Sequence, residues 1–351
     1  MPTPLAMVDL SIVIVSWNVR DLLRRCLQSI HNPTTRFGSG QVTNQGIASQ
    51  TGDCGLEIIV VDNGSEDGSV EMVRENFPSV RLIANQYNRG FPAANNQGIS
   101  VAGGRYVLLL NPDTEIVDDA LTRLVSFADE RPRVGMVGPQ LLNPDGSIQS
   151  SRRRFPNLGT AFLESTWLEP YAPRRVLDRY YVSDRPDNVI QDVDWVTGAA
   201  MLARREAIEE VGPLDEGFFM YSEELDWCRR FRDAGWRVVY LPAAQIVHHV
   251  GKSSEQVVAA RHVHFQTSKV RYLRKYHSSL AATALRWFLL ANYVWQLGLE
   301  GAKWLVGHRR PLRAQRITAY RRVLRSRLRS MSTCTGDARG NHHSGTTYSL
   351  V

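Results

Sequence analysis

Asn111, Pro112 and Asp113 cut short an apolar run, YVLLLNPDTEI over residues 106–116. Pro112 removes a backbone donor and fixes φ, so a strand that stops there leaves Asp113 just past its carboxyl end. In open α/β sheets that edge faces the ligand crevice, where a carboxylate can hold a metal ion or a polar ligand. The competing role for Asp113 is an ordinary helix N-cap, for which Asp is also favoured. A second acidic group, Glu223, Glu224 and Asp226 in YSEELDWCRR, opens a helical pattern. At a helix start the dipole tends to keep a carboxylate ionised while neighbouring acids raise its proton affinity, which suits a proton acceptor. An acidic first turn paired with Arg229 and Arg230 accounts for the same residues without any chemistry.

For such groups to act together, strands must carry them to one edge. LSIVIVSW (10–17) and EIIVVD (57–62) are continuous apolar runs that stop at polar residues, as buried parallel strands do. Between them Leu22, Leu23, Cys26, Leu27 and Ile30 fall at helical spacing. The alternation continues: a helix over SVEMVRENF, a strand VRLIAN, a helix PAANNQGISVA, a strand RYVLLLN and a helix DDALTRLVSFADE. It predicts an α/β fold with a mainly parallel central sheet flanked by helices. Polar residues then sit at four strand ends: Ser16, Trp17 and Asn18; Asp62 to Ser65, with Asn63; Asn85 to Gly90, with Asn88; and Asn111 to Asp113. Turn chemistry explains each one singly. Taken together, four strand ends converge on one pocket.

Residues 134–250 read as mixed strands and loops, with VGMVGPQLLN and WVTGAAMLARREAIEEVG the clearest pieces, a helix ending at Gly235 and a strand RVVYLP after it. Residues 33–55 are polar and Gly-rich and are expected to form a mobile insertion. The chain is expected to be helical from 261 to about 330 and disordered over 331–351.

Cys26, Cys54, Cys228 and Cys334 lie far apart with no CxxC pair, so neither a zinc cluster nor a disulfide framework is indicated, and a cytoplasmic setting is expected. The start, MPTPLAMVDL, lacks the pattern of a secretory signal. The net charge of +7 is uneven: from Arg261 onward there are 17 Lys and Arg against two acids, while the first 260 residues hold 25 basic and 33 acidic groups. A basic tail of this kind attracts phosphate-rich partners, nucleic acid or an anionic membrane surface.

SIVIVSWN, EIIVVDNGSEDGS, NRGFPAANNQGI, LLLNPDTEI, VTGAAMLARREAIEEVGPLDEGFF and YSEELDWCRR, in that order over about residues 9–255, resemble the family-two inverting glycosyltransferases of GT-A fold. The series is most similar to their rhamnosyltransferase-like branch. The resemblance implies a domain over 1–260 in which Asp62 and the Ser16–Asn18 turn hold the donor nucleotide. It places the family's DxD metal signature at 111–113, where Asn111 replaces the first acid and leaves Asp113, with His248 of an H-x-x-G-x-S segment, to serve Mg²⁺ or Mn²⁺. It puts Glu224 where the catalytic base stands, with Asp226 as the alternative because the motif reads E-E-L-D rather than E-D-x-D. Asp215, Glu223 and Trp227 are expected near the acceptor and Gly198 behind the donor sugar. The implied activity moves a rhamnose-like deoxyhexose or hexose from a nucleotide-diphosphate donor to a hydroxyl of a cell-surface glycan precursor.

Other residues leave their roles open. Arg152 to Arg154 offer guanidinium groups for a diphosphate or merely a solvated charge run. Asn88, Asn95 and Asn96 either bind nucleotide or hold the loop. Over 280–306 the longest charge-free stretch runs only from Trp287 to Leu299, too short to span a bilayer. Trp287, Tyr293, Trp295 and Trp304, with Arg309, Arg310, Arg313 and Arg316, suit a helix lying at the inner membrane face, where a lipid-linked acceptor would be found. The alternative is a core-packing or dimerising helix pair. Two rival functions stand: a sugar-1-phosphate nucleotidyltransferase, disfavoured because SIVIVSWNVRDLL lacks a Gly-rich phosphate loop, and a non-catalytic nucleotide- or nucleic-acid-binding protein, for which no RNA or DNA motif is present.

Overall fold

A computed structural model describes residues 8–31, 55–164, 166–249 and 258–329. The first half is built as alternating strands and helices: β1 (Val8–Ser16), α1 (Arg20–His31), β2 (Gly55–Asp62), α2 (Ser69–Asn76), β3 (Arg81–Ala84), α3 (Phe91–Val101) and β4 (Tyr106–Leu110). Then come β5 (Thr114–Ile116), α4 (Ala120–Asp129), β6 (Val134–Leu142), β7 (Ile148–Gln149), β8 (Arg152–Arg153), α5 (Leu158–Leu163) and α6 (Arg174–Tyr181). The domain closes with β9 (Gln191–Asp192), β10 (Trp195–Val196), β11 (Ala200–Arg204), α7 (Arg205–Val211), α8 (Glu223–Asp233) and β12 (Arg237–His248).

The main sheet runs β3-β2-β1-β4-β11-β6-β12-β5, with β7 on β6 and β9 on β12. Strands β3, β2, β1 and β4 are parallel, β11 is antiparallel to β4 and β6, and β12 is parallel to β6. Side chains of β1 alternate between two cores: Leu10, Ile12 and Ile14 pack with α1, α2 and α4, while Val13 and Val15 pack with α3, α7 and α8. β1 therefore has β2 on one side and β4 on the other, with connecting helices on opposite faces. That is a topological switch point, and the crevice opens at its carboxyl ends.

Two elements differ from the sequence reading. β12 runs on past Pro242 to His248, with a register break against β6 between Leu241 and Gln245 that accommodates the proline. The NPD turn does not lead straight to a helix, because Thr114–Ile116 pairs first with the end of β12. Most of the 33–55 insertion lies outside the described residues, but Gly55 opens β2. The 331–351 tail also lies outside them.

Helices α9 (Val258–Tyr276), α10 (Ser279–Leu305) and α11 (Arg310–Ser326) form a bundle with its own core of Leu273, Leu285, Leu289 and Val323, joined by Ala161 of α5. Ser278 caps α10 by accepting from the Ala281 amide at 3.1 Å. Tyr293 and Arg313 are buried, not on the surface face expected of them. Glu300 accepts from Arg313 at 2.8 Å, so the polar residues that interrupt the apolar run face the bundle. Trp287 and Trp295 do face outward, 62% and 60% exposed. No described helix is long and apolar enough to cross a membrane.

Candidate active site

The turn after β4 is tied to the turn before β11. The Asn111 amide donates to the Ala199 carbonyl at 2.9 Å, and the adjacent Gly198 lies against α8. A Cβ placed on Gly198 would stand 3.6–3.8 Å from the side-chain carbons of Glu224. The Asn111–Asp113 turn and the start of α8 that carries Glu224 therefore both meet one short turn at the carboxyl edge of the sheet.

Buried oxygens without a hydrogen-bond partner gather there: Ser16 Oγ, Asp62 Oδ2, Asn111 Oδ1, Asp113 Oδ1 and Glu224 Oε2. Each such group costs desolvation free energy that folding alone does not recover. Their convergence on the ends of β1, β2 and β4 and on the start of α8 marks a site shaped for a polar ligand.

Asp62 is half engaged: its Oδ1 accepts from the Ser65 and Gly64 amides at 2.9 and 3.2 Å, and its Oδ2 remains available. Asn18 is fixed in the left-handed region, its amide donating to Ser65 Oγ and its Oδ1 accepting from the Glu66 amide. Trp17 beside it is partly exposed. Asn63 donates to Asn88 Oδ1 at 3.0 Å and accepts from the Arg89 amide at 3.0 Å, so Asn63 and Asn88 hold the loop. Asn95 is turned back onto the Phe91 carbonyl, and Asn96 donates to the Leu214 carbonyl and Glu216. Gly90 takes a φ of +87°, and a Cβ there would lie 2.7 Å from the Phe219 carbonyl oxygen, which also accepts from the Phe91 amide. One continuous wall thus joins the α3 entrance to the segment preceding α8.

Asp113 is buried, and His248 Nε2 lies 3.4 Å from its Oδ1 without forming a hydrogen bond. Gln149 Oε1 holds the other ring nitrogen at 2.7 Å. A proton on Nδ1 donated to Gln149 leaves the Nε2 lone pair facing a carboxylate oxygen, an arrangement that a cation between them would relieve. The donor set fits Mg²⁺ or Mn²⁺ in part. Among the described residues no cluster of three His, Cys, Asp or Glu side chains could hold a metal ion, so phosphate oxygens and water would complete the shell.

At the start of α8 the acids differ sharply. Glu224 is partly exposed, but its Oε2 is buried, and this burial pushes the carboxyl up to about 7 against the pull of nearby backbone amides. Glu223 is buried, and desolvation together with the Glu224 charge raises it well above the usual carboxylate range. Asp226, in contrast, accepts from Arg230 at 3.0 Å and from Tyr276 at 2.8 Å and meets Lys275 at 2.6 Å. Such a set of groups can accept a proton at Glu224 while a diphosphate is held near Asp113.

Residues 11–212 match the family described as Glycosyl transferase family 2. The chain belongs to that family. This glycosyltransferase is 31% identical over 245 residues to N-acetylglucosaminyl-diphospho-decaprenol L-rhamnosyltransferase of Mycobacterium tuberculosis, covering 67% of this chain and 80% of that one. It is 23% identical to rhamnosyltransferase WbbL of Escherichia coli K12, over 75% of this chain and 92% of the other. Among solved structures it is similar to the mannosyltransferase PcManGT from Pyrobaculum calidifontis in complex with GDP-Man and Mn²⁺, with TM-score 0.50, 19% identity and coverage of 92% and 89%. It also resembles GalNAc-T7 with UDP, GalNAc and Mn²⁺, with TM-score 0.52 and 14% identity, covering 76% of this chain and 48% of that one. These two likenesses show a shared GT-A fold.

Three expected site residues of the glycosyltransferase are engaged within the protein. Trp227 is fully buried and donates its indole N–H to the Gly212 carbonyl at 3.0 Å, because its position on α8 faces the core. It presents no face to an acceptor. Asp226 is fully buried, with both oxygens engaged by its three partners. Asp215 is clamped by Arg271 and Lys275. Burial opposes its ionisation, yet the Lys275 and Gly217 hydrogen bonds and the Arg271 charge hold it down at about 2. Of the arginine run, Arg152 is buried against Asp187 under the Tyr240 ring, and Arg153 lies over Tyr181. The sequence reading missed Gln149, Arg271, Lys275 and Tyr276. They come from a two-residue strand and from a helix read as part of a tail, and no local pattern distinguishes them.

Proposed function

We propose that this enzyme transfers a rhamnose-like deoxyhexose or hexose, with inversion, from a nucleotide-diphosphate donor to a hydroxyl of a lipid-linked cell-surface glycan precursor. The observation that carries the reading is the pair of unsatisfied carboxylate oxygens, Asp113 Oδ1 and Glu224 Oε2, on segments that both meet the Gly198–Ala199 turn. Asp62 Oδ2 and Ser16 Oγ accept from and donate to the nucleotide. Asp113 and His248 hold Mg²⁺ or Mn²⁺, which when bound offsets the charge of the departing diphosphate. Glu224 takes the proton of the attacking acceptor hydroxyl, on the face opposite the leaving group. Burial and the Glu224 charge hold the Glu223 carboxyl well above the usual carboxylate range, which disfavours a second negative charge beside Glu224.

Support for the acceptor class is twofold. The Mycobacterium tuberculosis relative is named for a decaprenol-linked diphosphate substrate. The bundle here exposes Trp287, Trp295 and Trp304, the last under the Arg310 guanidinium, together with exposed Arg309, which suits an anionic membrane surface.

The test is nucleotide release from a panel of UDP-, dTDP- and GDP-sugars, with and without Mn²⁺. Release from at least one donor that depends on metal, collapses in Asp113→Ala and stops in Glu224→Gln without loss of nucleotide binding is expected. Unchanged turnover in both variants would overturn the reading.

A further inference from the structure

Away from the sheet edge, a groove of about 750 Å³ opens between β8 and α6. Arg154, Arg175, Arg179 and Arg185 line it, against Asp184 and Asp194. Asp194 is engaged in the wall: Oδ2 accepts from the Phe155 amide at 2.9 Å, and Oδ1 meets Arg154 at 3.7 Å. Arg175, Arg179 and Arg185 make no ion pair among the described residues, although they stand on the same cavity. Four guanidinium groups against two carboxylates leave the groove net positive, which favours an anion with several oxygens, and their planar forks match phosphate.

The groove is tied to the catalytic end by two paths. Phe155 in its wall lies under the Arg229 guanidinium at 4.8 Å. Arg229 follows Glu224 by five positions on α8, roughly 7.5 Å along the axis at about 1.5 Å per residue. From Asp194 the chain passes through β10 and Thr197 to Gly198, which touches Glu224, a span of roughly 13 Å at about 3.3 Å per residue. The groove wall is therefore joined to the element that carries Glu224 both through the Phe155–Arg229 contact and through the four residues from Asp194 to Gly198.

The segment between the groove residues Thr160 and Arg175 carries exposed apolar side chains. Leu158, Trp167 and Tyr171 are exposed, with the Trp167 and Tyr171 rings packed edge-on at 6.5 Å. The same segment is anchored to the bundle where Phe162 meets Phe288 at 5.3 Å, next to the exposed Trp287. A charged groove with exposed aromatics on the chain segment between its lining residues suits a diphosphate that carries a hydrocarbon chain.

We propose that this groove binds the acceptor's diphosphate, with Arg175, Arg179 and Arg185 on the phosphate oxygens and Trp167 and Tyr171 along the first isoprenoid units. The inference rests on the lipid-linked acceptor described above. Calorimetric titration of the full chain with geranyl diphosphate tests it. Binding to the wild type and to Asp113→Ala is expected, with at least tenfold weaker binding to Arg175→Ala/Arg179→Ala, whose acceptor-free nucleotide release stays at the wild-type rate. No binding by the wild type, equal binding by the double variant, or loss of binding in Asp113→Ala would overturn it. So would a double variant that loses only its binding to phosphatidylglycerol vesicles, since the arginines would then serve bulk lipid. A wild type that binds geranyl diphosphate but releases nucleotide from no donor would instead sink the catalytic reading and leave the groove standing.

Discussion

Gly198 abuts Glu224, whose side-chain carbons Cβ, Cγ and Cδ lie 3.6–3.8 Å from where a Cβ would sit. That spacing is ordinary contact, so Gly198→Ala should fold and retain most turnover. Gly198→Leu has no such room and should displace the carboxylate, lowering kcat by about 10²-fold, the order expected when a reacting group is misplaced by about 1 Å. Circular dichroism beside nucleotide-release kinetics separates this from misfolding; full activity in Gly198→Leu would show that Glu224 stands clear of the reaction.

Burial holds the Glu224 carboxyl up at about 7, well above its free value of 4.5. A base must be ionised, so kcat/KM should rise with pH through about 7 and level off above it. Glu224→Gln should lose about 10²- to 10⁴-fold in kcat, the usual contribution of proton transfer. Stability runs the other way. A carboxyl raised in the folded state contributes its stability below the unfolded value and loses it as pH climbs through about 7. Urea midpoints at pH 5 and pH 8 should therefore fall further for the wild type than for Glu224→Gln. Equal falls would mean that Glu224 is not desolvated.

Asp226 sits among Arg230, Lys275 and Tyr276 and joins α8 to α9. Removing one member of a buried ion cluster leaves the others uncompensated, so Asp226→Ala should cost about 3 kcal/mol. The folded fraction should keep its turnover. An Asp226→Asn protein that is stable yet inactive, next to an active Glu224→Gln, would reverse the two roles.

Gln149 touches the His248 ring but not the cleft's other acids. If it sets the tautomer of a metal ligand, Gln149→Leu should raise the Mn²⁺ concentration needed for half-maximal rate by about 10- to 100-fold. Nucleotide binding without metal should stay unchanged. An unaltered metal dependence would remove His248 from the site.

Trp287 and Trp295 are exposed on α10 while Tyr293 between them is buried. Replacing both tryptophans with serine should weaken cosedimentation with anionic vesicles and leave thermal stability within a few degrees, since neither ring fills the core. Unchanged cosedimentation would assign that face to another role.

Much of the fold is legible in the chain because its signals are local. Runs such as SIVIVS and EIIVVD, Pro112 at a strand end and the helical spacing of Leu23, Cys26, Leu27 and Ile30 each act within a few residues. They are enough to predict a mainly parallel sheet whose strand ends bring Ser16, Asp62, Asn111 and Asp113 to one edge; the order β3-β2-β1-β4 comes from the structure. Glu224 is also legible, as a carboxylate at the start of a helix.

Only the tertiary structure separates Glu224 from Asp226, two positions apart in one acidic turn. Rotation along α8 sends Asp226 to three partners, two of them on α9 about fifty residues later, and leaves Glu224 Oε2 at the Gly198 turn. The same holds for Trp227 and Tyr293, whose residue types suit a surface but whose helical phase turns them inward, and for Gln149, brought to His248 from a strand ninety-nine residues earlier. Local patterns determine which elements form. Which carboxylate is neutralised and which is left unsatisfied depends on charges and packing that meet only when distant elements close on one another.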